Sequence, residues 1–217
     1  MKTVFDSISS PTATRIATGL SRIGTAMRHK AWQRATASGL TPTQADIIAL
    51  LAARQVPVRL STIAEQLAIT AATASDAVAS LVGKALVHKG RAPDDGRAVA
   101  LSLTPAGAQL ADSVSEWGGF MQMAAATLSA DEQTLLLRLI IKMIRAMQER
   151  GDIPLNRMCV TCSHFQPQRH KNTSNPHHCG LVDAAFGERH LRLDCPEHEQ
   201  QTDALLARRQ WSIYLQH

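Results

Sequence analysis

Four cysteines stand in the last third of the chain as Cys159-x2-Cys162-x16-Cys179-x15-Cys195, with Pro196 directly after the fourth. Four thiolates without a spare are the ligand set of one tetrahedral zinc or one iron–sulfur cluster. A C-x2-C pair lets two sulfurs reach one centre from a single turn, and the two longer loops close at modest entropic cost. The competing reading is free thiols, with Cys159 and Cys162 able to form a redox disulfide. Structural zinc usually presents two close pairs, or a cysteine pair and a histidine pair. Here only the first pair is close, and a proline follows the last ligand, as in one run of iron–sulfur ligands. The spacing therefore leans toward a [4Fe–4S] or [2Fe–2S] cluster, with zinc as the alternative. His178 beside Cys179 keeps a Cys3His zinc site open. Seven of the nine histidines fall in the same segment: His164, His170, His177, His178, His190, His198 and His217. They are read mostly as surface groups or as supports behind the ligands.

A second set of residues has the chemistry of a nucleic-acid surface. In 60–107, two short helical patterns are followed by two strand patterns around a charged turn. Thr62 and Glu65 have capping-box spacing at the first helix, with Ser61 as an alternative cap. Ile63, Ala64 and Leu67 share one face. Thr70 caps the second helix, whose Val78, Leu81 and Val82 recur at core spacing. Its outer face is small and polar: Thr70, Ala71, Ala72, Thr73, Ser75, Asp76 and Ala79. Small side chains let a helix lie close to base edges and phosphates in a major groove. The strands 86–89 and 98–103 flank a tip that carries Arg91 and Arg97, with Pro93, Asp94, Asp95 and Gly96 supplying the turn. Two arginines at a hairpin tip suit a narrow minor groove, where the negative potential is strongest.

The run Asp95-Gly96-Arg97 through Leu103-Thr104-Pro105-Ala106-Gly107 resembles the D-x-R-x5-L-T-x-x-G wing signature of the MarR family of transcription regulators. The stretch 60–86 is similar to that family's two-helix DNA-reading unit, as is Leu40-Thr41-Pro42-Thr43-Gln44 with Leu50 and Leu51. The resemblance covers roughly residues 10–150. It implies a winged helix-turn-helix, a homodimer built in part on the first long helix, and a pseudo-palindromic double-stranded DNA operator. One position departs: the family often has a basic residue where this chain has Asp76. A carboxylate there does not hold a phosphate, though it can accept from a cytosine amino group.

These elements need a frame, and the rest of 1–150 reads as mostly helical. Residues 1–10 are polar and read as loose. From 11 to 38, Ile16, Leu20, Ile23, Met27 and Trp32 recur at helical spacing, with Arg15, Arg22, Arg28, Lys30 and Arg34 between them as a solvated basic face; Gly39 ends the helix. Thr41, Pro42 and Gln44 form a helix start with a capping box. Val58-Arg59-Leu60 reads as a third wing strand. A helix over 104–128 is expected to bend at Gly118-Gly119. Ser129 and Glu132 open another over 130–150, apolar on more than one face, which calls for a partner subunit as cover. Residues 166–176 read as a polar loop, and 201–215 as a final helix.

The fold class expected is mainly α with a small β wing. A winged-helix DNA-binding and dimerisation domain spans 1–150, and a loop-rich metal-binding segment spans 151–217. Charge agrees: residues 1–150 hold 16 Lys and Arg against 11 Asp and Glu, and 151–217 hold 7 against 7, so the excess of +5 lies with the helix-turn-helix. No apolar run spans a membrane and no secretory signal opens the chain, so a reducing cytoplasm is expected, where cysteines serve metals more often than disulfides. No Gly-rich nucleotide loop, nucleophile motif or carboxylate cluster points to an enzyme. The expected function is a DNA-binding regulator, a repressor, whose affinity is modulated by an iron–sulfur cluster sensing iron or redox state. The alternative is a repressor with structural zinc and a small organic effector bound between the reading and dimer helices.

Overall fold

The computed structural model describes residues 4–54, 56–91, 99–115 and 119–216. In chain order the elements are α1 (Val4–Ile8), α2 (Thr12–Ala37), α3 (Pro42–Arg54), β1 (Val58–Arg59), α4 (Leu60–Gln66), α5 (Ala71–Gly83), β2 (Val87–Arg91), β3 (Val99–Leu103), α6 (Pro105–Ser115), α7 (Gly119–Ala125), α8 (Ala130–Glu149), β4 (Phe165–Gln166), β5 (His177–Cys179), β6 (Ala184–Phe186) and α9 (Ala204–Leu215). The fold is mainly helical with a small antiparallel wing, as expected. Among the described residues no helix is long and apolar enough to cross a membrane.

Local chemistry accounts for most boundaries. Gly39 ends α2 at φ +65, a left-handed conformation that suits glycine. At α3 the Thr41 hydroxyl accepts from the Gln44 amide at 3.3 Å and the Gln44 side chain accepts from the Thr41 amide at 3.2 Å. The same reciprocal pair joins Ser129 and Glu132 at α8, and Thr70 caps α5 through the Thr73 amide at 3.1 Å. The cap expected at α4 is different. That helix starts straight out of β1, so Arg59 occupies the cap position with no side-chain bond, and Ser61 and Thr62 fall inside the first turn. Residues 4–8 are helical rather than loose. Of the helix expected over 104–128, the described parts are α6 and α7; Glu116, Trp117 and Gly118, where the bend was expected, lie outside the described residues.

The first apolar core joins Ala45, Ile47, Ile48 and Leu51 of α3 to Ile63 of α4, Val78 and Leu81 of α5, Val87 and Leu101 of the wing, and Ala111 of α6. Val82, expected inside, is exposed, one position off the buried stripe. The wing sheet has the order β1-β3-β2, with Val58 opposite Leu101 and Val87 opposite Leu103. Gly107 locks the wing to α6: a Cβ there would lie 2.0 Å from the Leu86 carbonyl oxygen. The terminal glycine of the wing signature is thus required by a close backbone approach. Beside it, Thr104 donates to the Ala85 carbonyl and accepts from the Gly107 amide.

A second apolar core gathers Ile141 of α8 with Met158, Val160, Cys162, Phe165, Leu191 and Tyr214; Leu137 and Ile144 pack against it. One face of α8 is therefore covered within the chain by the C-terminal segment, where a partner subunit was expected. Another row, Leu135, Leu136, Leu139 and Met143, stays exposed, as do Ile16, Leu20, Ile23 and Met27 of α2. The segment 166–176 is bracketed by a three-stranded sheet of order β4-β5-β6 that the sequence reading did not include.

The contact at Gly107 gives a direct expectation. Gly107→Ala lowers the urea midpoint by the equivalent of about 1–3 kcal/mol, the range for overpacking a tight site. Ala85→Gly, at a left-handed φ of +56, raises it by about 1 kcal/mol through relief of strain. Equal midpoints for the Gly107 variant and the natural chain count against the close approach.

Candidate functional site

Two surfaces carry chemistry. The first is the outer face of α5 with the wing. Thr70, Ala71, Ala72, Thr73, Ser75 and Asp76 are all exposed, on the side opposite Ala74, Val78 and Leu81, which are buried. The turn before this helix is closed by Ile69 N–H donating to the Ala64 carbonyl, with Ala68 at φ +51. Gln44 fixes α5 against α3 by donating to the Ser80 hydroxyl at 2.9 Å. Lys84 donates to Gln44 at 3.0 Å and to the Gly39 carbonyl, tying in the end of α2. Neither tie was legible in the sequence. Along β2, Val87 is buried while His88, Lys89 and Arg91 are exposed, so the strand ends with a cation pointing to solvent. Arg97 lies outside the described residues.

The second surface is a cavity of about 180 Å3 in the C-terminal segment. All four cysteines line it, with Phe165, Leu181, Val182, Ala184 and Phe186 as an apolar wall and His164, His190, Arg192 and Glu197 as polar groups. The four thiols arrive from three short stretches of chain. Cys159 and Cys162 sit on a 3₁₀ turn, Cys159–Thr161, closed by Cys162 N–H on the Cys159 carbonyl at 3.0 Å. Cys179 ends β5, directly opposite Phe165 in β4. Cys195 is held by its amide on the Arg157 carbonyl at 2.9 Å, and the Arg157 guanidinium pairs with Asp194 at 2.6 Å. The cysteines are free thiols. They surround a space rather than meet at a point: among the described residues no three His, Cys, Asp or Glu side chains group closely enough to hold a single ion.

The polar surroundings are aimed at the sulfurs. The Arg192 amide donates to Cys159 Sγ at 3.2 Å, and its guanidinium lies 3.6 Å from Cys195 Sγ. Burial pushes the Cys159 thiol up, the Arg192 amide opposes this, and the other three thiols near it push the same way as burial. His178 does not join the cysteines. Strand alternation turns it from Cys179, and its ring meets His170 at 3.2 Å and Asp183 at 3.2 Å. That removes the Cys3His arrangement built on His178. His164 and His190 are the histidines that reach the cavity. Neither they nor the aromatic wall was identified from sequence. The available signal was that four of the eight aromatic residues, Phe165, Phe186, Trp211 and Tyr214, crowd into the last 67 positions.

The fold and the α5 face define a winged helix-turn-helix. Residues 38–98 match the MarR family. The chain is similar to Staphylococcus aureus MepR in a complex with DNA, with 24% identity over 60% of this chain and 96% of that one and a TM-score of 0.54. It is also similar to S. aureus MepR in its DNA-binding conformation, with 24% identity over 61% of this chain and 98% of that one and a TM-score of 0.56. At this identity the likeness is one of fold. About two fifths of this chain has no counterpart in either structure. No curated protein matches the sequence.

The buried edge of the C-terminal core yields a test. The Tyr214 hydroxyl donates to Glu188 at 3.1 Å. Tyr214→Phe keeps the ring and removes that bond, so denaturant unfolding followed by near-ultraviolet circular dichroism loses about 1.5–3 kcal/mol, the range for a bond to a charged group. A loss below a few tenths contradicts the pairing.

Proposed function

We propose that the chain is a MarR-type DNA-binding transcription regulator, a repressor acting in the cytoplasm as a homodimer, whose four cysteines hold an iron–sulfur cluster that senses iron or redox state. The observation that carries the sensor is the set of four free thiols around one half-apolar cavity. Sulfurs on a single zinc all lie about 2.3 Å from the metal, so the side chains would need to contract onto one point. Cys159, Cys162, Cys179 and Cys195 would together hold either a [4Fe–4S] or a [2Fe–2S] cluster, which would occupy the space between them. Hydrogen bonds to the sulfurs and the apolar wall are the features by which a protein sets a cluster's potential.

DNA binding is supported by the exposed small polar face of α5, the cations along the wing and the match over 38–98. One recognition helix enters the major groove while the wing arginines follow the adjacent minor groove. Dimerisation is supported by the uncovered apolar rows on α2 and α8, too continuous to face water. Two copies would present two α5 helices about one DNA turn apart, which suits a pseudo-palindrome. When bound, the cluster supplies electron transfer and sensitivity to oxidants. The chain's own part is to ligate it and to hold the surrounding segment against α8.

A second reading keeps the DNA-binding role and gives the effector site to a cavity of about 370 Å3 between α3 and α6, lined by Leu51, Val56, Leu103, Ala111 and Asp112 among others. A small organic ligand there would sit beside both the wing and the frame, with a structural zinc in the C-terminal segment.

Protein purified without air tests both readings. A brown solution with iron and sulfide, lost in Cys162→Ser and Cys195→Ser, supports the cluster; a colourless protein with one zinc per chain supports the second reading. Light scattering is expected to give twice the 23.5 kDa chain mass; a monomer at micromolar concentration removes the palindromic operator. On duplexes selected by the protein from a random pool, Arg91→Ala and Arg97→Ala each weaken binding by about 1–3 kcal/mol, with circular dichroism unchanged. Equal binding across a salt series takes the wing out of the mechanism.

A further inference from the structure

Behind the aromatic wall of the cysteine cavity lies a fully buried histidine. The ring centroid of His177 is 5.3 Å from Phe165 and 5.5 Å from Phe186, both of which line the cavity. The Gln168 amide donates to its Nδ1 at 3.3 Å. The ring proton is therefore on Nε2, 3.2 Å from Glu188 Oε1. The other Glu188 oxygen accepts from the Tyr214 hydroxyl at 3.1 Å. Tyr214 is itself fully buried, edge-on to Phe165 at 6.2 Å. Over its ring, 6.0 Å from the centroid, lies the guanidinium of Arg138 from α8. The Nε of Arg138 is buried and has no hydrogen-bond partner among the described residues. Burial alone would raise the Glu188 carboxyl, yet His177, the Tyr214 hydroxyl and the Arg138 charge hold it below the usual range. One carboxylate thus joins β5, α9 and, through its field, α8.

We propose that this chain of contacts is the device by which α8 reads the state of the cysteine centre. An occupied cavity fixes Phe165 and Phe186 against His177, which keeps Glu188 and Tyr214 where they clasp Arg138. Loss of the occupant lets the aromatic wall relax and loosens the clasp on the inner face of α8, the face that carries Leu137, Ile141 and Ile144. Coupling of this kind requires that the centre favour one of two placements of α8 over the other. The inference rests on the reading that the four thiolates hold an iron–sulfur cluster.

The test uses the full chain, reconstituted without air from ferrous iron and sulfide, and the same sample stripped with ferricyanide and chelator. Amide hydrogen exchange is followed over residues 135–148. Stripping is expected to speed exchange around Ile141 at least fivefold in the natural chain. Arg138→Met, which lies on α8 and leaves the cluster absorption spectrum unchanged, is expected to exchange fast in both states, within twofold of each other. Glu188→Gln, which keeps an acceptor for Tyr214 but not the charge, is expected to fall between them. Exchange in the natural chain that ignores a fully loaded cluster overturns the wiring alone, as does an Arg138→Met protein that retains the whole difference. Iron and sulfide assays on the same samples separate the two ideas: a chain that takes up neither overturns the cluster reading and the wiring with it.

Discussion

The interaction on which the C-terminal third depends is the burial of Tyr214 against α8. Its ring fills the centre of the second apolar core, stacks on Trp211 at 5.4 Å, meets Phe165 edge-on and lies under the Arg138 guanidinium. A segment of strands two or three residues long cannot stabilise itself, because each strand contributes too few cross-strand pairs. It needs an existing surface, and the Leu137, Ile141 and Ile144 face of α8 provides one. The polar end of Tyr214 then determines what else is buried there. A hydroxyl in an apolar core needs a partner, Glu188 supplies it, and a half-buried carboxylate in turn needs the donors that His177 and Tyr214 offer. The cysteine cavity stands on this arrangement, since Phe165 is at once a neighbour of Tyr214 and a wall of the cavity.

The parts of the chain legible in the sequence were those governed by local rules. The capping pairs Thr41–Gln44 and Ser129–Glu132 form as spaced, Thr70 caps α5, Gly39 terminates α2, and the three wing strands pair antiparallel. Gly107 was legible only as part of a pattern; the Leu86 carbonyl supplies its reason. What failed were readings in which a local signal met a tertiary one. Ser61 and Thr62 looked like caps, but β1 runs directly into α4 and moves the boundary back to Arg59. Val82 has the right spacing for the core and still faces water, because the stripe is set by what α3 covers. The β4-β5-β6 sheet gave no period-2 signal over two or three residues. His177 looked like one of many surface histidines, since nothing in sequence distinguishes a histidine whose two nitrogens will both be satisfied inside.

The apolar character of α8 was visible, but its meaning was divided. A helix apolar on several sides must be covered on several sides. Here one cover is the chain's own C-terminal segment, and the other row, Leu135, Leu136, Leu139 and Met143, is left exposed. The same helix thus has one face toward the cysteine-bearing core and another left exposed. In the dimer proposed above, a rigid helix shared by two packings would not change its fit on one side without being displaced on the other.

The reading face and the cysteine cavity are built on different physical terms, which bears on how a signal would pass between them. The α5 face is small, polar and exposed, and its position is set by the rigid ties of Gln44 to Ser80 and of Lys84 to Gln44 and Gly39. None of those residues belongs to the second core. The two come nearest at Arg54, the last residue of α3, which lies in the field of Arg157 and Asp194 beside Cys195; that residue is on α3 and not on the exposed face of α5. On the proposed function, a change at the cysteines would act through the placement of α8, whose inner face packs on the second core. For a dimer reading two half-sites, placement is the quantity that matters, since half-site spacing must match the separation of the two recognition helices. If the cysteine centre is the sensor proposed above, it would change affinity through geometry while leaving sequence preference intact.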